Sequence, residues 1–572
     1  MKRLINLEKK ERVRLWQRAV TMSLIFTFSA WGLVPVNAVT VQELDQTIKG
    51  QEISFYREFF EKVLYKPVSQ FLRLDWIIDK ATMRKHSALD VNIYDEVPDS
   101  GFFTNRHGKK RLSKEELQRG ANQGSGPKPE GPWAVLKGKA SGVTPGLVIQ
   151  DLAGDRYLLK FDPQENPEMT TSSEIISQKF LHAIGYHVAE YYLVQFLPDI
   201  LKVNPQTTYY NKDGFKKPLT KEALTDLLSD VPKYKGGKVR ASASKMLPKP
   251  NKGNSDLEGR NKKDPDDLIP HENRRSLRAL RVFGSWLNHY DLREGNTLDV
   301  IAEENGKAYI KHYLIDFGST LGSSAYRSKV PAATHENVVD WFETGKAMGE
   351  FKIVQKPWEK RWDKNDRLIA DNSIGYFDNL YFNPGRWKTQ LPHEVFERLT
   401  VSDAFWAVKI MIAFSNEDIQ AMVDTAEYSK PETAKLLTDI LIARRDLIAK
   451  DWFDRMTPLD DIQLSIGQKV TGEVQFTDLA VKAGFVKAEE TSYRYRLTSG
   501  SCHAKKGIMY QEFKSPSFSF QMPDPGKKNC SVLEIQVKRV GQSKWSCPPA
   551  KILLSSPSGE AKNIISDIDH GL

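Results

Sequence analysis

The chain has 572 residues, of which 40% are hydrophobic and 27% charged, so it is long enough to bury the cores of two to four domains. Its net charge is +10, but residues 1–38 contribute +5 of this, with seven Lys and Arg against two Glu. The rest of the chain therefore carries only +5, which does not indicate the massed basic surface of a nucleic-acid-binding protein.

Residues 1–38 have the pattern of an export signal. A basic segment ends at Arg18, an apolar segment covers residues 19–34, and Val36-Asn37-Ala38 has the small-residue pattern of a cleavage site. We therefore expect an exported protein that acts in the periplasm or outside the cell. The alternative is an uncleaved membrane anchor through residues 19–35, with membrane or envelope association, although this segment is short for a span of roughly 20 residues.

Residues 39–130 are predicted to form a helical extension followed by a long irregular connection. The helical prediction rests on apolar residues at helical spacing, which are Phe55, Phe59, Phe60, Val63 and Leu64. Residues 90–130 are rich in Asp, Gly, Asn and Lys, which is typical of loops.

Residues 131–250 begin with a predicted antiparallel meander of three strands at 133–136, 147–151 and 156–161. The turn between the first two strands contains four candidate phosphate-binding residues, which are Gly138, Lys139, Gly142 and Gly146. A glycine-rich turn lets backbone N–H groups approach a phosphate, but an ordinary mobile hairpin would have the same composition. A helix at 171–184, capped by Thr171 or Ser172, and strands at 188–196 and 238–246 are also predicted.

Lys160 lies at the end of the third predicted strand, where its ammonium group could reach the phosphates of a nucleotide. The alternative is an edge lysine that extends its charged end into water. Glu174, in the first turns of the following helix, is the expected partner of Lys160. Glu168 is a competing partner, and Glu174 could instead be a carboxylate that favours the helix N-terminus.

Residues 251–457 are predicted to be mainly helical. After a polar loop at 251–268, a helix with a buried apolar face leads to His289, and a hairpin follows with strands at 297–302 and 308–315. Further helices are predicted between 401 and 453, and Ser415 with Asp418 forms a capping-box pattern at the start of one of them. Residues 458–572 contain short alternating strands separated by Gly, Pro and Asn, which predicts a β-sandwich.

The three cysteines, Cys502, Cys530 and Cys547, all lie in this last region. In an oxidising compartment one disulfide is expected among them, with one thiol left over and the pairing open. The Cys and His residues do not have the spacing of a zinc site.

The strongest functional signal is the order of two short motifs. His289-Tyr290-Asp291-Leu292-Arg293-Glu294-Gly295-Asn296 is followed by Leu314-Ile315-Asp316-Phe317-Gly318. Each motif alone would more often be a polar turn or a β-turn. Together, after a buried helix and around a hairpin, they suit a phosphotransferase: one carboxylate can orient a hydroxyl, while an amide and a second carboxylate hold Mg²⁺ on a nucleotide.

These motifs, with the glycine turn and Lys160, resemble the protein-kinase-like superfamily in its atypical branches. The resemblance implies an α+β fold with an antiparallel β N-lobe (131–250) and a mainly helical C-lobe (251–457). It also implies Mg²⁺ and ATP or another nucleoside triphosphate as cofactors. Asp291 would be the base for an acceptor hydroxyl, with Arg293 beside it in place of the family's lysine, and Asn296 and Asp316 would be metal ligands.

The sequence also departs from the family pattern. Gly138, Gly142 and Gly146 are spaced by four rather than as G-x-G-x-x-G, the Ala-Pro-Glu signature is not visible, and the gap from Asn296 to Asp316 is long. The acceptor, whether a protein, a glycan or a lipid headgroup, is therefore left open. Two other interpretations stay open as well: a catalytically silent kinase fold that serves as a scaffold, and an envelope adhesion protein that acts through its β-sandwich.

Overall fold

The computed structural model describes residues 39–71, 86–138, 146–204, 206–210, 215–330, 332–340, 371–466, 471–499, 509–521, 530–555 and 564–570. The predicted signal (1–38), Lys139, Gly142 and Cys502 lie outside the described residues. Among the described helices, none combines the length and the apolar character that a membrane span requires.

The extension forms short helices that lie against the rest of the chain. They are α1 (Val41–Thr47), α2 (Phe55–Phe59), a π-helix (Phe60–Tyr65) and α3 (Lys66–Phe71), and α4 (Lys114–Arg119) follows in the irregular connection. Leu44 and Ile48 of the first segment pack on a later hairpin, in a small buried cluster with Ile301 and Ile310. The extension is therefore attached to the part of the chain that holds the two motifs.

The region 131–250 contains a six-stranded sheet and the long helix α5 (Met169–Ile184). Its elements are β1 (Trp133–Gly138), β2 (Gly146–Gln150), β3 (Arg156–Phe161), β4 (His187–Val188), β5 (Tyr191–Phe196), β6 (Leu201–Val203), β7 (Thr208–Tyr210), β8 (Lys216–Pro218), α6 (Lys221–Ser229) and β9 (Val239–Lys245). The strand order is β5-β9-β3-β2-β1-β6, antiparallel except for the β1–β6 pair. The predicted meander is confirmed, but the strand predicted at 188–196 is two strands that join different sheets.

Helix α5 is buried along almost its whole length. It starts at Met169, two residues before the predicted start, and Gly185 follows its last residue. The predicted cap at Thr171 or Ser172 is wrong, because both residues lie inside the helix and the N-cap is Glu168, whose φ is 67°. The Glu168 carboxylate accepts hydrogen bonds from the backbone N–H of Ser429, which ties the start of the helix to a distant segment.

In the described part of residues 251–457, helices contain more residues than strands do. The elements of this part are β10 (Asn251–Gly253), α7 (Arg275–Arg278), α8 (Leu280–Leu287), β11 (Thr297–Glu304), β12 (Lys307–Leu314), α9 (Glu394–Glu397), α10 (Val401–Met411), α11 (Asn416–Asp424) and α12 (Pro431–Phe453). The apolar faces of α8, α10, α11 and α12 share one large buried cluster with α5. The predicted hairpin is confirmed as β11–β12, and so is the Ser415–Asp418 capping box.

The C-terminal region forms two antiparallel sheets. Its elements are β13 (Leu459–Ile466), β14 (Thr471–Asp478), α13 (Leu479–Lys482), β15 (Thr491–Ser499), β16 (Gln511–Phe513), β17 (Ser517–Gln521), β18 (Cys530–Arg539), β19 (Ala550–Ser555) and β20 (Ile564–Asp569). The sheet orders are β13-β14-β17 and β16-β15-β18-β19-β20, and both sheets bury side chains in one cluster. Leu479 packs in the helical core, and Nδ1 of His570 lies 2.9 Å from a carboxylate oxygen of Asp95, so this region also contacts the rest of the chain. Cys547 is a free, exposed thiol.

Candidate active site

Lys160 and Glu174 form a buried ion pair between the six-stranded sheet and helix α5. Lys160 lies on β3, where its neighbours across the sheet are Gly146 and Ser242. Its Nζ is 2.5 Å from Oε1 of Glu174, which lies on the second turn of the helix. The predicted partner of Lys160 is therefore the one that the structure brings to it, while the competing Glu168 contacts Ser429 instead.

Asp316 completes this group of charges from the other side. It follows β12, has a φ of 62°, and places Oδ1 at 2.8 Å from Nζ of Lys160. Its backbone N–H donates to the Tyr191 hydroxyl at 3.2 Å. Its side chain is 37% exposed, whereas Lys160 and Glu174 are buried. We call Lys160, Glu174 and Asp316 the lysine cluster; it has one solvent-facing end, formed by Asp316.

The two residues after Asp316 fix the position of Glu174. Phe317 is fully buried, and its backbone N–H donates to Oε2 of Glu174 at 3.3 Å. A Cβ on Gly318 would lie 3.0 Å from Oε1 of Glu174, which is closer than ordinary contact, so glycine lets this segment approach the carboxylate. The Asp-Phe-Gly motif thus acts through its backbone as well as through its carboxylate.

The charges in the lysine cluster are mutually dependent. Burial alone would lower the pKa of Lys160, but the carboxylates of Asp316 and Glu174 raise it above its ordinary value, so the lysine stays cationic. Burial raises the pKa of Glu174 against the opposing effect of Lys160. The cluster is therefore sensitive to any change of charge at its open end, where Asp316 meets the solvent.

The motif His289–Asn296 forms a loop, residues 289–296, which we call the Asp291 loop. Oδ1 of Asp291 accepts a hydrogen bond from Nε of Arg293 at 2.9 Å. Nδ2 of Asn296 donates to Oδ2 and to the backbone carbonyl of Asp291, both at 2.9 Å. The carboxylate of Asp291 is held at both oxygens and remains 23% exposed. The predicted residues Asp291, Arg293 and Asn296 thus form one connected unit.

Buried polar groups hold the start of this loop. Asn288, with a φ of 53°, caps the C-terminus of helix α8, and the buried Lys329 donates to the carbonyls of Asn288 and Ser319 at 2.5 and 2.9 Å. Lys329 therefore ties the Asp291 loop to the segment that follows Asp-Phe-Gly. His289 is buried with its ring centroid 5.9 Å from that of Phe317, and burial lowers its pKa to about 3, so it is neutral.

The electrostatics of the Asp291 carboxyl link the two motifs. Burial raises its pKa above the ordinary value, and the negative charge of Asp316 acts in the same direction. Arg293 and the hydrogen bond from Asn296 oppose this increase. Asp291 and Asp316 are therefore close enough to repel each other, and a cation between them would reduce that repulsion.

The donor atoms of Asn296 and Asp316 fit Mg²⁺. Carboxylate and amide oxygens are the ligands that Mg²⁺ uses when one or two side chains hold it together with substrate phosphates. The amide nitrogen of Asn296 is used by Asp291, so its amide oxygen is the atom that would face the ion. No group of three or more His, Cys, Asp or Glu in the described part of the chain could hold a metal without such a substrate.

The predicted phosphate-binding turn is only partly described. Gly138 and Gly146 end β1 and begin β2, and Gly146 lies opposite Lys160 in the sheet. A Cβ on Gly138 would lie 2.4 Å from Cβ of Tyr209, so the close approach of that residue explains this glycine without a ligand. Phosphate binding by Gly138, Lys139, Gly142 and Gly146 stays a prediction.

Sequence reasoning missed three residues that organise the site. Tyr191 holds the backbone of Asp316, Lys329 holds the Asp291 loop, and Glu58 of the extension contacts the same loop. Tyr191 and Lys329 lie in ordinary strand and loop patterns that do not distinguish them. Glu58 precedes Lys62 by four residues, a spacing that is more typical of an exposed helical ion pair.

Comparisons with known proteins add two similar structures. No protein-family model and no curated protein matches the sequence. A crystal structure of CtkA, a Helicobacter pylori proinflammatory kinase, is similar over 54% of this chain and 94% of its own, with 12% identity and a TM-score of 0.28. A structure of the Golgi casein kinase is similar over 69% of this chain and 87% of its own, with 7% identity and a TM-score of 0.30. The function proposed below rests on the geometry of the site.

Proposed function

We propose that this chain is a kinase-like phosphotransferase that moves a phosphoryl group from a nucleoside triphosphate to a hydroxyl acceptor. One observation carries the proposal: the Lys160–Glu174 pair meets Asp316 at a solvent-facing point, next to a loop in which Asn296 and Arg293 hold Asp291. A buried cation, three carboxylates and an amide converge there. Phosphoryl transfer depends mainly on positioning and on stabilising negative charge, and these residue types supply both.

Each residue has a distinct task in this proposal. Lys160, fixed by Glu174, pairs with nucleotide phosphates, and Asn296 and Asp316 supply the oxygens that hold Mg²⁺. When bound, the metal–nucleotide complex supplies the phosphoryl group and the positive charge that neutralises it. Asp291 accepts the proton of the acceptor hydroxyl or orients that hydroxyl, and Arg293 holds the carboxylate in place.

The proposal includes a two-lobed layout, with the six-stranded sheet as the N-lobe and the helical region as the C-lobe. Support comes from the two separate buried clusters, one under the sheet and one among the helices. The shared cluster of the two C-terminal sheets supports a β-sandwich in that region. Export, with an acceptor on a protein, glycan or lipid headgroup, rests on the sequence pattern of residues 1–38 alone.

Thermal unfolding of the chain with and without 5 mM MgCl₂ and ATP or GTP tests the proposal. A ligand that binds only the native state at about 100 times its Kd stabilises that state by about 2.7 kcal/mol. We expect a rise in Tm that requires both Mg²⁺ and a triphosphate, together with slow hydrolysis of the triphosphate. A rise in Tm without any hydrolysis would favour the silent scaffold, and no rise with any triphosphate would contradict the proposal.

A further inference from the structure

Glu58, in the helical extension, reaches the Asp291 loop from a position 236 residues earlier in the chain. Its carboxylate is completely buried. Oε1 accepts the backbone N–H of Glu294 at 2.6 Å, and Oε2 accepts the backbone N–H of Gly295 at 3.2 Å. A single side chain thus satisfies two successive backbone donors in the loop, which is a strong and directional arrangement when the acceptor is ionised.

The carboxylate of Glu58 also contacts Arg293, and the side chain of Arg293 in turn binds Asp291. Nη1 of Arg293 lies 3.2 Å from Oε2 of Glu58, while Nε of Arg293 donates to Oδ1 of Asp291 at 2.9 Å. A Cβ on residue 295 would lie 2.0 Å from Nη1 of Arg293, so Gly295 leaves the space in which the guanidinium folds over the loop. Arg293 therefore bridges a buried carboxylate of the extension and the partly exposed carboxylate of Asp291.

A second set of ion pairs also links the extension to the loop. Nζ of Lys62 is 2.8 Å from Oε1 of Glu294 and 3.2 Å from Oε2 of Glu258, and Lys66 pairs with the same oxygen of Glu258. We call these residues the extension cluster, which comprises Glu58, Lys62, Lys66, Glu258, Arg293 and Glu294. Burial alone would raise the pKa of Glu58, but His393, Arg293 and the Glu294 N–H lower it below its ordinary value, so the carboxyl is ionised.

The helical segment that carries Glu58 buries charged residues as well as an apolar one. Glu58, Lys62 and Val63 are buried, while Tyr56 and Phe60 are exposed. Burying a charge is costly unless it is paired. The backbone N–H groups and the guanidinium of the loop are the partners that compensate the burial of Glu58.

We propose that Glu58 is a positioning residue for the Asp291 loop. Through Arg293 and the backbone amides of Glu294 and Gly295, Glu58 fixes the position of Asp291, the base of the proposed phosphotransferase. This inference rests on the function proposed above. Its specific content is that the extension completes the Asp291 loop and can affect nucleotide binding only through Asn296, which lies in that loop. A misplacement of about 1 Å in a reacting group can lower a rate by about 10²-fold.

The test compares Glu58→Ala and Glu58→Gln with the wild-type full chain, by steady-state hydrolysis of Mg²⁺·ATP. We expect kcat to fall by about 10²-fold in Glu58→Ala, with a smaller loss in Glu58→Gln, which keeps one acceptor oxygen. The KM for ATP and the ATP-dependent rise in Tm should change much less than kcat, because Lys160, Glu174 and Asp316 are untouched and Asn296 keeps its hydrogen bonds to Asp291. Glu61→Gln is the matched control, since Glu61 lies on the same helical segment, is 49% exposed, and contacts only Lys62 among the ion pairs of the described residues.

Hydrogen exchange of the peptide covering residues 289–296 gives a second readout that needs no turnover. Exchange should be faster in both Glu58 variants than in wild type and in Glu61→Gln, while exchange in the hairpin β11–β12 stays unchanged. This pattern supports the inference even if Glu58→Ala is too unstable for kinetics, because Glu58→Gln conserves the size of the side chain.

The outcomes separate the two proposals. A wild-type chain without ATP binding or hydrolysis contradicts the proposed function, and exchange in the loop then decides alone whether Glu58 anchors it. An unchanged kcat in both variants, or unchanged exchange at residues 289–296, overturns the inference. Equal losses in kcat, ATP binding and Tm would also overturn it, since they would show a general structural role.

Discussion

The lysine cluster and the extension cluster are both built from buried carboxylates and cations, but only the first is open. The lysine cluster ends in Asp316, which is 37% exposed and faces the solvent. The extension cluster is closed: Glu58, Lys62 and Glu294 are all buried, and each has its partners within the chain. The same residue types therefore allow two different roles. A ligand can bind to the exposed end of an open cluster, whereas a closed cluster can only fix the positions of the residues around it.

This difference predicts different responses to mutation. In both clusters, removal of one partner leaves an uncompensated charge, and in a buried pair this costs roughly 3–5 kcal/mol. At the open end of the lysine cluster, water can solvate the remaining group, so stability should change little while binding changes greatly. In the extension cluster, stability and loop geometry should change while nucleotide binding remains.

The largest effect is expected for Asp316→Ala. The change removes the proposed principal metal ligand, so the Mg²⁺-dependent rise in Tm with ATP, about 2.7 kcal/mol of stabilisation at 100 times Kd, should disappear together with hydrolysis. Asp155→Ala is a matched control, because Asp155 is an exposed carboxylate paired with Lys245 at 2.8 Å in the same sheet region. An Asp316→Ala chain that keeps the full rise in Tm would show that the lysine cluster is not the nucleotide site.

Asp291→Asn should separate binding from turnover. Loss of the carboxylate should lower kcat for Mg²⁺·ATP hydrolysis by roughly 10²–10⁴, the usual range for a positioned base. The ATP-dependent rise in Tm should stay, because the proposed role of Asp291 is toward the acceptor rather than the nucleotide. If Asp291→Asn and Asp316→Ala impair ATP binding equally while both remain folded, then the two carboxylates do not have the separate roles proposed here.

Most residues of the open cluster and of the Asp291 loop could be predicted from sequence, because they lie in short motifs or at the end of a clear element. Asp291, Asn296 and Asp316 occur in order around a hairpin, and Lys160 lies at the end of an apolar strand. Glu174 is the expected partner of Lys160, but the sequence alone left Glu168 as a competing one, because it did not determine the exact start of the helix, which lies two residues earlier than predicted. Local pattern fixes the type of an element better than its ends.

The closed cluster could not be predicted in the same way. Glu58 and its partners Glu294 and Gly295 are more than 230 residues apart, and no local pattern links them. The apolar residues of the extension indicated a helix but not the face that it buries: Val63 is buried and Phe60 is exposed, while the charged Glu58 is buried against the loop. Similarly, the strand predicted at 188–196 divides because its two halves pair with different sheets.

The substitution Glu258→Gln should show, through the pH dependence of stability, that the closed cluster depends on the charge of Glu258. Burial alone would raise the pKa of Glu258, but Lys62 and Lys66 lower it from the ordinary 4.5 to about 2. A carboxyl whose pKa is lower in the folded state stabilises that state above the unfolded pKa, and this contribution is lost as the pH falls towards 2. The shift corresponds to about 3 kcal/mol at neutral pH.

The measurement is the free energy of urea unfolding of wild type and Glu258→Gln between pH 7 and pH 2.5. The free energy of unfolding of wild type should exceed that of Glu258→Gln at pH 7, and this difference should decrease by about 2–3 kcal/mol over the range. Most of the decrease should occur below pH 5. Glu61→Gln should stay within about 0.5 kcal/mol of wild type at neutral pH, as expected for a surface substitution. A constant difference between wild type and Glu258→Gln at all pH values would mean that Glu258 does not act through its charge.

The smallest expected effect tests whether the two clusters are independent. Ser54 caps helix α2, and its hydroxyl accepts the backbone N–H of Arg57 at 3.2 Å. Ser54→Ala removes that hydrogen bond and should destabilise the helix by about 1 kcal/mol, whereas Ser54→Asp, which keeps a capping oxygen, should remain near wild type. Because Glu58 is held by the loop as well as by its helix, the ATP-dependent rise in Tm and the KM for ATP should not change in either variant. A loss of ATP affinity in Ser54→Ala alone would show that a weakened extension disturbs the lysine cluster, and the open and closed clusters would then have to be treated as one coupled site.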